Sequence, residues 1–212
     1  MKKAIIILSV LVLIVGSCKQ SLYAQFKIPT GYLEIESIYI DFDGDGKKDT
    51  AAVIIKEKSD YYYFAHAFVI YLTSSNKNHI MEFGEGVGHA TALKVKNNVI
   101  QFGYVLGGSG VYSFDFKLRY NHTERKIQLI GFDTSYRIAS SSRGYCEKSY
   151  NLLTGDYNVT NYLATINYTD LREREHKEFH KGNHKIKAVF LEDINDEMIE
   201  NLDLVGEEFE RR

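Results

Sequence analysis

The chain has no tryptophan and a single proline, against 16 tyrosines in 212 residues. Lysine and asparagine are plentiful, and this profile is common in AT-rich bacterial genomes. Cysteine is scarce as well: Cys18 closes an apolar N-terminal run, and Cys146 stands without a neighbouring histidine in Arg143-Gly144-Tyr145-Cys146-Glu147. Once the leader is processed no intrachain disulfide can form, and a bound metal is the one evident staple. Cys146 is expected as a buried, idle thiol. Basic charge is not in surplus: 26 Lys and Arg face 28 Asp and Glu, for a formal charge of −2. That balance argues against nucleic acid as a partner. Catalytic motifs are missing too. Gly107-Gly108-Ser109-Gly110-Val111 has Val where a nucleophile elbow would end in Gly. Gly84-Glu85-Gly86-Val87-Gly88-His89 is followed by no Lys-Ser or Lys-Thr, so it reads as a connection rather than a phosphate cradle. His176, His180 and His184 recur at intervals of four, as zinc ligands on one helix face would. Gly182-Asn183 breaks such a helix before the third, and a solvated, charged hairpin is the better reading.

What is present is a cluster of carboxylates. Asp41-Phe42-Asp43-Gly44-Asp45-Gly46-Lys47-Lys48-Asp49 places Asp at positions 1, 3, 5 and 9, with glycines at 4 and 6. Four like charges this close repel unless a cation sits among them. Alternate spacing turns every second side chain inward, and Gly46 lets the backbone turn sharply. Hard oxygen donors in this number suit Ca²⁺. Asp41, Asp43, Asp45 and Asp49 are the expected carboxylate ligands, and Lys47 would add its backbone carbonyl. An EF-hand is excluded, because position 12 is Ala52 and both flanks, Leu33–Ile40 and Thr50–Ile55, read as strands. The pattern Asp-x-Asp-x-Asp-Gly-x-x-Asp between strands resembles the FG-GAP/VCBS type of calcium loop, found in integrin-like propellers and in many exported bacterial proteins. There is no second such loop, and the chain is too short for seven propeller blades. The resemblance is therefore to small exported, often lipidated bacterial proteins carrying one loop. It extends through Gly107–Tyr112, Leu129–Phe132 and Tyr150–Gly155, and covers about residues 31–160. It implies the metal ligands and no activity.

The N-terminus is in keeping with export. Met1-Lys2-Lys3 is a basic start, and Ala4–Val15 is apolar for about a dozen residues, which is short for a membrane span. Val15-Gly16-Ser17-Cys18 resembles the lipobox of bacterial lipoproteins, so residues 1–17 are expected to be cleaved and Cys18 lipidated. A rival cut lies after Ala24. The expected location is a bacterial cell envelope, lipid-anchored on the periplasmic or outer-membrane face, or otherwise secreted. No later apolar stretch is long enough to span a bilayer, leaving the lipid as the tether. Removing Lys2 and Lys3 takes the formal charge to −4.

The body reads as mostly β: antiparallel hairpins forming a sandwich or rolled sheet, with a short C-terminal helix. Residues 18–30 are a tether, 31–192 one β domain, and 193–212 an acidic tail. Tyr112, Phe114, Phe116, Leu118 and Tyr120 alternate with Ser113, Asp115, Lys117 and Arg119, predicting a half-buried strand. The return strand carries Ile127, Leu129 and Ile130. Tyr61–Leu72 alternates similarly, with His66 a packed or rim residue on the apolar face. Asn97-Asn98 and Leu153-Thr154-Gly155-Asp156 are hairpin turns, and Lys185–Leu191 reads as a late strand. Between Glu192 and Glu210 nine residues are acidic and none basic, as in a solvated, frayed terminus.

Two function classes follow. The first is a non-catalytic calcium-binding envelope protein whose partner is a macromolecule: a protein it neutralises, in the manner of an inhibitor or immunity protein, or a glycan. Tyrosine-rich strands suit either contact. The alternative is an envelope hydrolase with a dispersed active site, in which a cleft joins His66 or His89 to carboxylates.

Overall fold

A computed structural model describes residues 26–57, 66–83, 88–90, 93–107, 110–138, 145–167 and 172–210. The expected leader, Cys18, the first half of the Tyr61–Leu72 run, Gly84–Val87 and Ser109 lie outside the described residues.

Among the described residues two antiparallel sheets pack face to face. The smaller is a four-stranded meander of β1 (Tyr32–Ile40), β2 (Asp49–Lys56), β3 (His66–Leu72) and β4 (Lys77–Glu82), in that spatial order. The larger has nine strands: β5 (Gly88–Ala90), β6 (Lys94–Lys96), β7 (Val99–Leu106), β8 (Gly110–Asn121), β9 (Lys126–Ile138), β10 (Tyr145–Asn151), β11 (Asp156–Asn167), β12 (Arg172–Asn183) and β13 (Val189–Phe190). Its path runs β12-β11-β10-β9-β8-β7-β5, with β6 pairing β7 and β13 pairing β9. The mostly β, antiparallel expectation is met.

Strand β8 shows how the sequence pattern becomes packing. Phe114, Phe116 and Leu118 are buried in the core, while the residues between them face outward and are more exposed. Phe102, Phe116 and Phe132 are direct cross-strand partners on β7, β8 and β9. Phe68 of the small sheet stacks on Phe102, with centroids 3.8 Å apart and planes 10° from parallel. This aromatic row joins the two sheets. The pairing of β8 with β9 slips between Lys117 and Leu118, leaving Ile130 as an extra residue. The bulge lets Leu129 and Phe132 both reach the core despite their odd spacing. The Asn97-Asn98 turn is as expected: both residues have positive φ (52° and 57°), as a two-residue turn between twisted strands requires.

The run ending at Leu72 keeps Phe68, Ile70 and Leu72 on one face, as expected, and its other face is buried as well. Phe68, Ile70 and Leu72 enter the main core, while Ala67 and Val69 join Ala52 and Ile54 in a second cluster on the opposite face. Partly buried Phe26 and Tyr32 cover that cluster, and the Tyr32 hydroxyl donates to Glu82 Oε1 on the far edge strand at 2.6 Å. Burial and the Glu82 carboxylate push the Tyr32 pKa up to about 12. The small residues at 52 and 67 suit the passage of a ring over the sheet.

The late strand is shorter than Lys185–Leu191, since only Val189 and Phe190 pair, with Leu129 and Gln128 of β9.

The acidic tail is neither frayed nor separate from the domain. After a 3₁₀ turn at Leu191–Asp193, Asn195 caps helix α1 (Asp196–Asp203), its side chain accepting the Met198 N–H at 2.9 Å. Leu191, Ile194, Ile199 and Leu202 are buried in the main core with Tyr150, Tyr157 and Val159 of β10 and β11. Lys148, whose side chain is 1% exposed, lies between Glu210 Oε1 (2.8 Å) and Asp203 Oδ1 (3.2 Å), and also donates to the Asp203 carbonyl. The Asn161 amide donates to the Phe209 carbonyl at 2.8 Å, and the Phe209 ring stacks on His180 of β12. Residues 172–183 form a strand paired with β11, so His176, His180 and His184 do not lie along a helix. Tyr157 lies close against Gly182 and Gly206, where a Cβ at either position would meet its ring within 3 Å. The buried thiol expected at Cys146 is found, 3% exposed on β10.

Candidate metal centre

The Asp-rich segment is the turn of the first hairpin, between Ile40 of β1 and Asp49 of β2, which are themselves paired. Gly44 and Gly46 take positive φ (79° and 84°), so this tight turn needs glycine at both positions. The carboxylates organise the backbone around themselves. Asp41 Oδ1 accepts the Gly44 N–H at 2.8 Å, and its Oδ2 accepts that of Gly46 at 3.0 Å. Asp49 Oδ2 accepts the N–H groups of Phe42 (2.9 Å) and Asp43 (3.4 Å), and its Oδ1 accepts that of Thr73 (2.8 Å). Asp43 Oδ1 accepts the Asp45 N–H at 3.1 Å, and its Oδ2 accepts the Ser74 hydroxyl.

Asp41, Asp43 and Asp49 each present a carboxylate oxygen within 4.8 Å of the other two. Asp45 is not part of this trio. Its Oδ1 accepts the Lys47 N–H at 2.7 Å, and its Oδ2 lies 3.8 Å from Lys47 Nζ. Asp43 and Asp49 are buried, at 8% and 1% exposure. Among the described residues no Lys, Arg or His forms an ion pair with any of the three. Burial drives the Asp49 pKa above the usual carboxylate range, and the Asp43 charge adds to this. The three backbone N–H groups on Asp49 oppose the rise. The donors are oxygens only, two of the three groups are buried, and among the described residues no ion pair offsets their charge. This set fits a hard divalent cation.

A cleft of about 610 Å³ adjoins the loop. Asp43 and Asp45 line it from the loop, and Tyr120, His122, Arg125 and Lys126 line it from the β8–β9 turn and the strand ends beside it. The far side is closed by His79 of β4 and by Glu192. His79 is 7% exposed, and its Nδ1 lies 2.6 Å from Glu192 Oε1. Sequence reading missed this pair, because 113 residues separate the partners and neither lies in a motif. The histidines of the hydrolase alternative are on other elements: His66 opens β3, and residue 89 lies on β5.

A second, smaller trough of about 350 Å³ lies on the outward face of the large sheet. Its lining includes Ser113, Asp115, Asp133, Ser135, Glu147 and Ser149. Burial, with the Asp133 charge next, raises the Asp115 pKa, and Lys94 and Lys117 pull it back. Beside the trough Tyr145 and Tyr162 stack 4.1 Å apart and 7° from parallel, with Lys177 Nζ 4.6 Å from the Tyr162 centroid.

No family model matches the chain, and no curated protein or solved structure matches it either. The resemblance to FG-GAP/VCBS loops therefore rests on the nine residues of the turn.

Proposed function

We propose that this chain is an exported, lipid-anchored calcium-binding β protein that acts as a non-catalytic binding protein of a bacterial cell envelope. One observation carries the reading: two buried carboxylates and a third beside them converge at the first hairpin turn, and among the described residues no cationic side chain pairs with them. Asp41, Asp43 and Asp49 would hold the ion. Asp45 and the Lys47 carbonyl would complete the set after a small rearrangement, since Asp45 is engaged with Lys47. A bound Ca²⁺ supplies fixed positive charge that offsets carboxylate repulsion and holds the loop and the strands it joins in register. The modest affinity expected of a site without a bidentate Glu suits extracellular calcium at about millimolar levels. Partner contact falls to the exposed sheet surface, where the Tyr145–Tyr162 pair and the polar trough supply rigid aromatic and hydrogen-bonding groups to a protein or glycan.

The test is capture from envelope extracts on immobilised mature protein in millimolar calcium, with elution by EDTA. A partner retained only in calcium, and lost with Asp49→Ala, supports the reading. Turnover of an ester or glycoside in an activity screen, without a calcium-dependent partner, favours the hydrolase alternative. One observation speaks for that alternative: the His79–Glu192 pair faces the same cleft as His122. A carboxylate on Nδ1 is how a general-base histidine is commonly oriented.

A further inference from the structure

The loop is bonded to a second turn, and that turn leads to the C-terminal segment. Thr73 donates its N–H to Asp49 and its hydroxyl to the Lys48 carbonyl at 2.6 Å, while Ser74 donates to Asp43. These three bonds fasten the β3–β4 turn to the loop. Strand β4 begins at Lys77, and its His79 reaches Glu192. Glu192 lies in the 3₁₀ turn at the root of α1, flanked by buried Leu191 and Ile194. Loop, β4 and Glu192 thus form three sides of one cleft. The far end of the segment is held independently by Lys148.

We propose that cation occupancy of the 41–49 loop sets how firmly the root of the C-terminal segment, Leu191–Ile194 with α1, is docked against β4, and so sets the shape of the cleft. The proposal rests on the loop being a cation site. Its physical basis is that the carboxylates accepting from Thr73 and Ser74 are two of the three that converge. Without a cation, Asp41, Asp43 and Asp49 repel one another. Relief of that repulsion moves the acceptors that fix the β3–β4 turn, and the turn sets the start of β4 and the reach of His79. Coupling of this kind is reciprocal: a cation that firms the docking must bind less tightly when the docking is weakened.

Calcium alone is titrated calorimetrically into the full mature chain, the Glu192→Ala variant and the Glu124→Ala variant. Glu124 lines the same cleft, and among the described residues no hydrogen bond or ion pair ties its side chain to β4. Both variants remove one negative charge near the loop, and only the first removes the link. The expected result is a loss of affinity of about fivefold for Glu192→Ala, with a clearly smaller loss for Glu124→Ala. Equal losses would reduce the effect to direct electrostatics and overturn the coupling, as would no loss in Glu192→Ala. A second measurement needs no variant: amide exchange of the wild-type chain in calcium and in EDTA. Protection of residues 195–204 should rise in calcium by more than that of the β8–β9 core. A rise confined to the loop, its strands and residues 73–76 would overturn the proposal. Absence of calcium binding by the wild type would instead remove the reading on which it stands.

Discussion

Asp49 sits at the meeting point of opposed effects. It is almost fully buried and faces Asp43, which disfavours its charge, yet three backbone N–H groups point at it. Alanine substitutions should separate its two roles from those of Asp45. Asp45→Ala should lower the melting temperature in calcium and change little in EDTA, since that side chain accepts one N–H in its own exposed turn. Asp49→Ala should destabilise in both conditions, by about 1–3 kcal/mol in EDTA, because it orphans the N–H groups of Phe42 and Thr73. Equal loss for Asp45→Ala with and without calcium would argue against its being a ligand. On the outer sheet face, Asp115 gives a pH prediction. Its folded pKa is raised, so the ionised form costs stability above that pKa and the cost vanishes below the unfolded value. Asp115→Asn should therefore stabilise at neutral pH, and the gain should shrink toward about pH 3, as read from denaturant midpoints. A gain independent of pH would mean that the charge is not the cause. The alternating aspartates were legible because ligand spacing is local. The His79–Glu192 pair was not, because only the packing of β4 against the C-terminal root brings those residues together.

At the scale of elements, the strands with strict alternation, β8 above all, were readable from their period, and the Asn97-Asn98 turn from its chemistry. Only one face of strand β3 was readable, because the other is covered by Tyr32, which reaches across β2 and β3 to Glu82, a contact that no local pattern announces. At the C-terminus the short helix was expected and is found, but the docking of the segment against the core was not read. Its nine acidic residues dominate the sequence, yet Leu191, Ile194, Ile199 and Leu202 recur at spacings that line one side of a turn and helix. Leu202→Ala should cost about 2–5 kcal/mol, as for a buried leucine in any core, measured by chemical denaturation. A cost near zero would restore the frayed-tail reading. Lys148→Ala should cost about 3–5 kcal/mol, because it breaks a buried ion pair with Glu210, 5% exposed on its side chain. Lys148→Ala combined with Glu210→Gln should recover part of that loss.

Over the whole molecule, a four-stranded meander covers part of one face of a larger sheet, and the C-terminal segment covers more of the same face. The described residues contain one cysteine, and it is buried on β10, so the apolar core carries the stability of this part of the chain. The hairpin turn at residues 41–49 ties the small sheet together and abuts the cleft where that sheet, the β8–β9 turn and the C-terminal root meet. Cation binding at this position would stabilise the junction rather than a peripheral loop. The decisive measurement is thermal unfolding of the mature chain in EDTA, then in millimolar Ca²⁺ and in millimolar Mg²⁺. A calcium-specific rise is expected, equivalent to about 2.7 kcal/mol once calcium is a hundredfold above the dissociation constant, and it should vanish in the Asp49→Ala variant. Identical melting in EDTA and calcium would reduce the aspartates to a hydrogen-bonded turn and contradict the account.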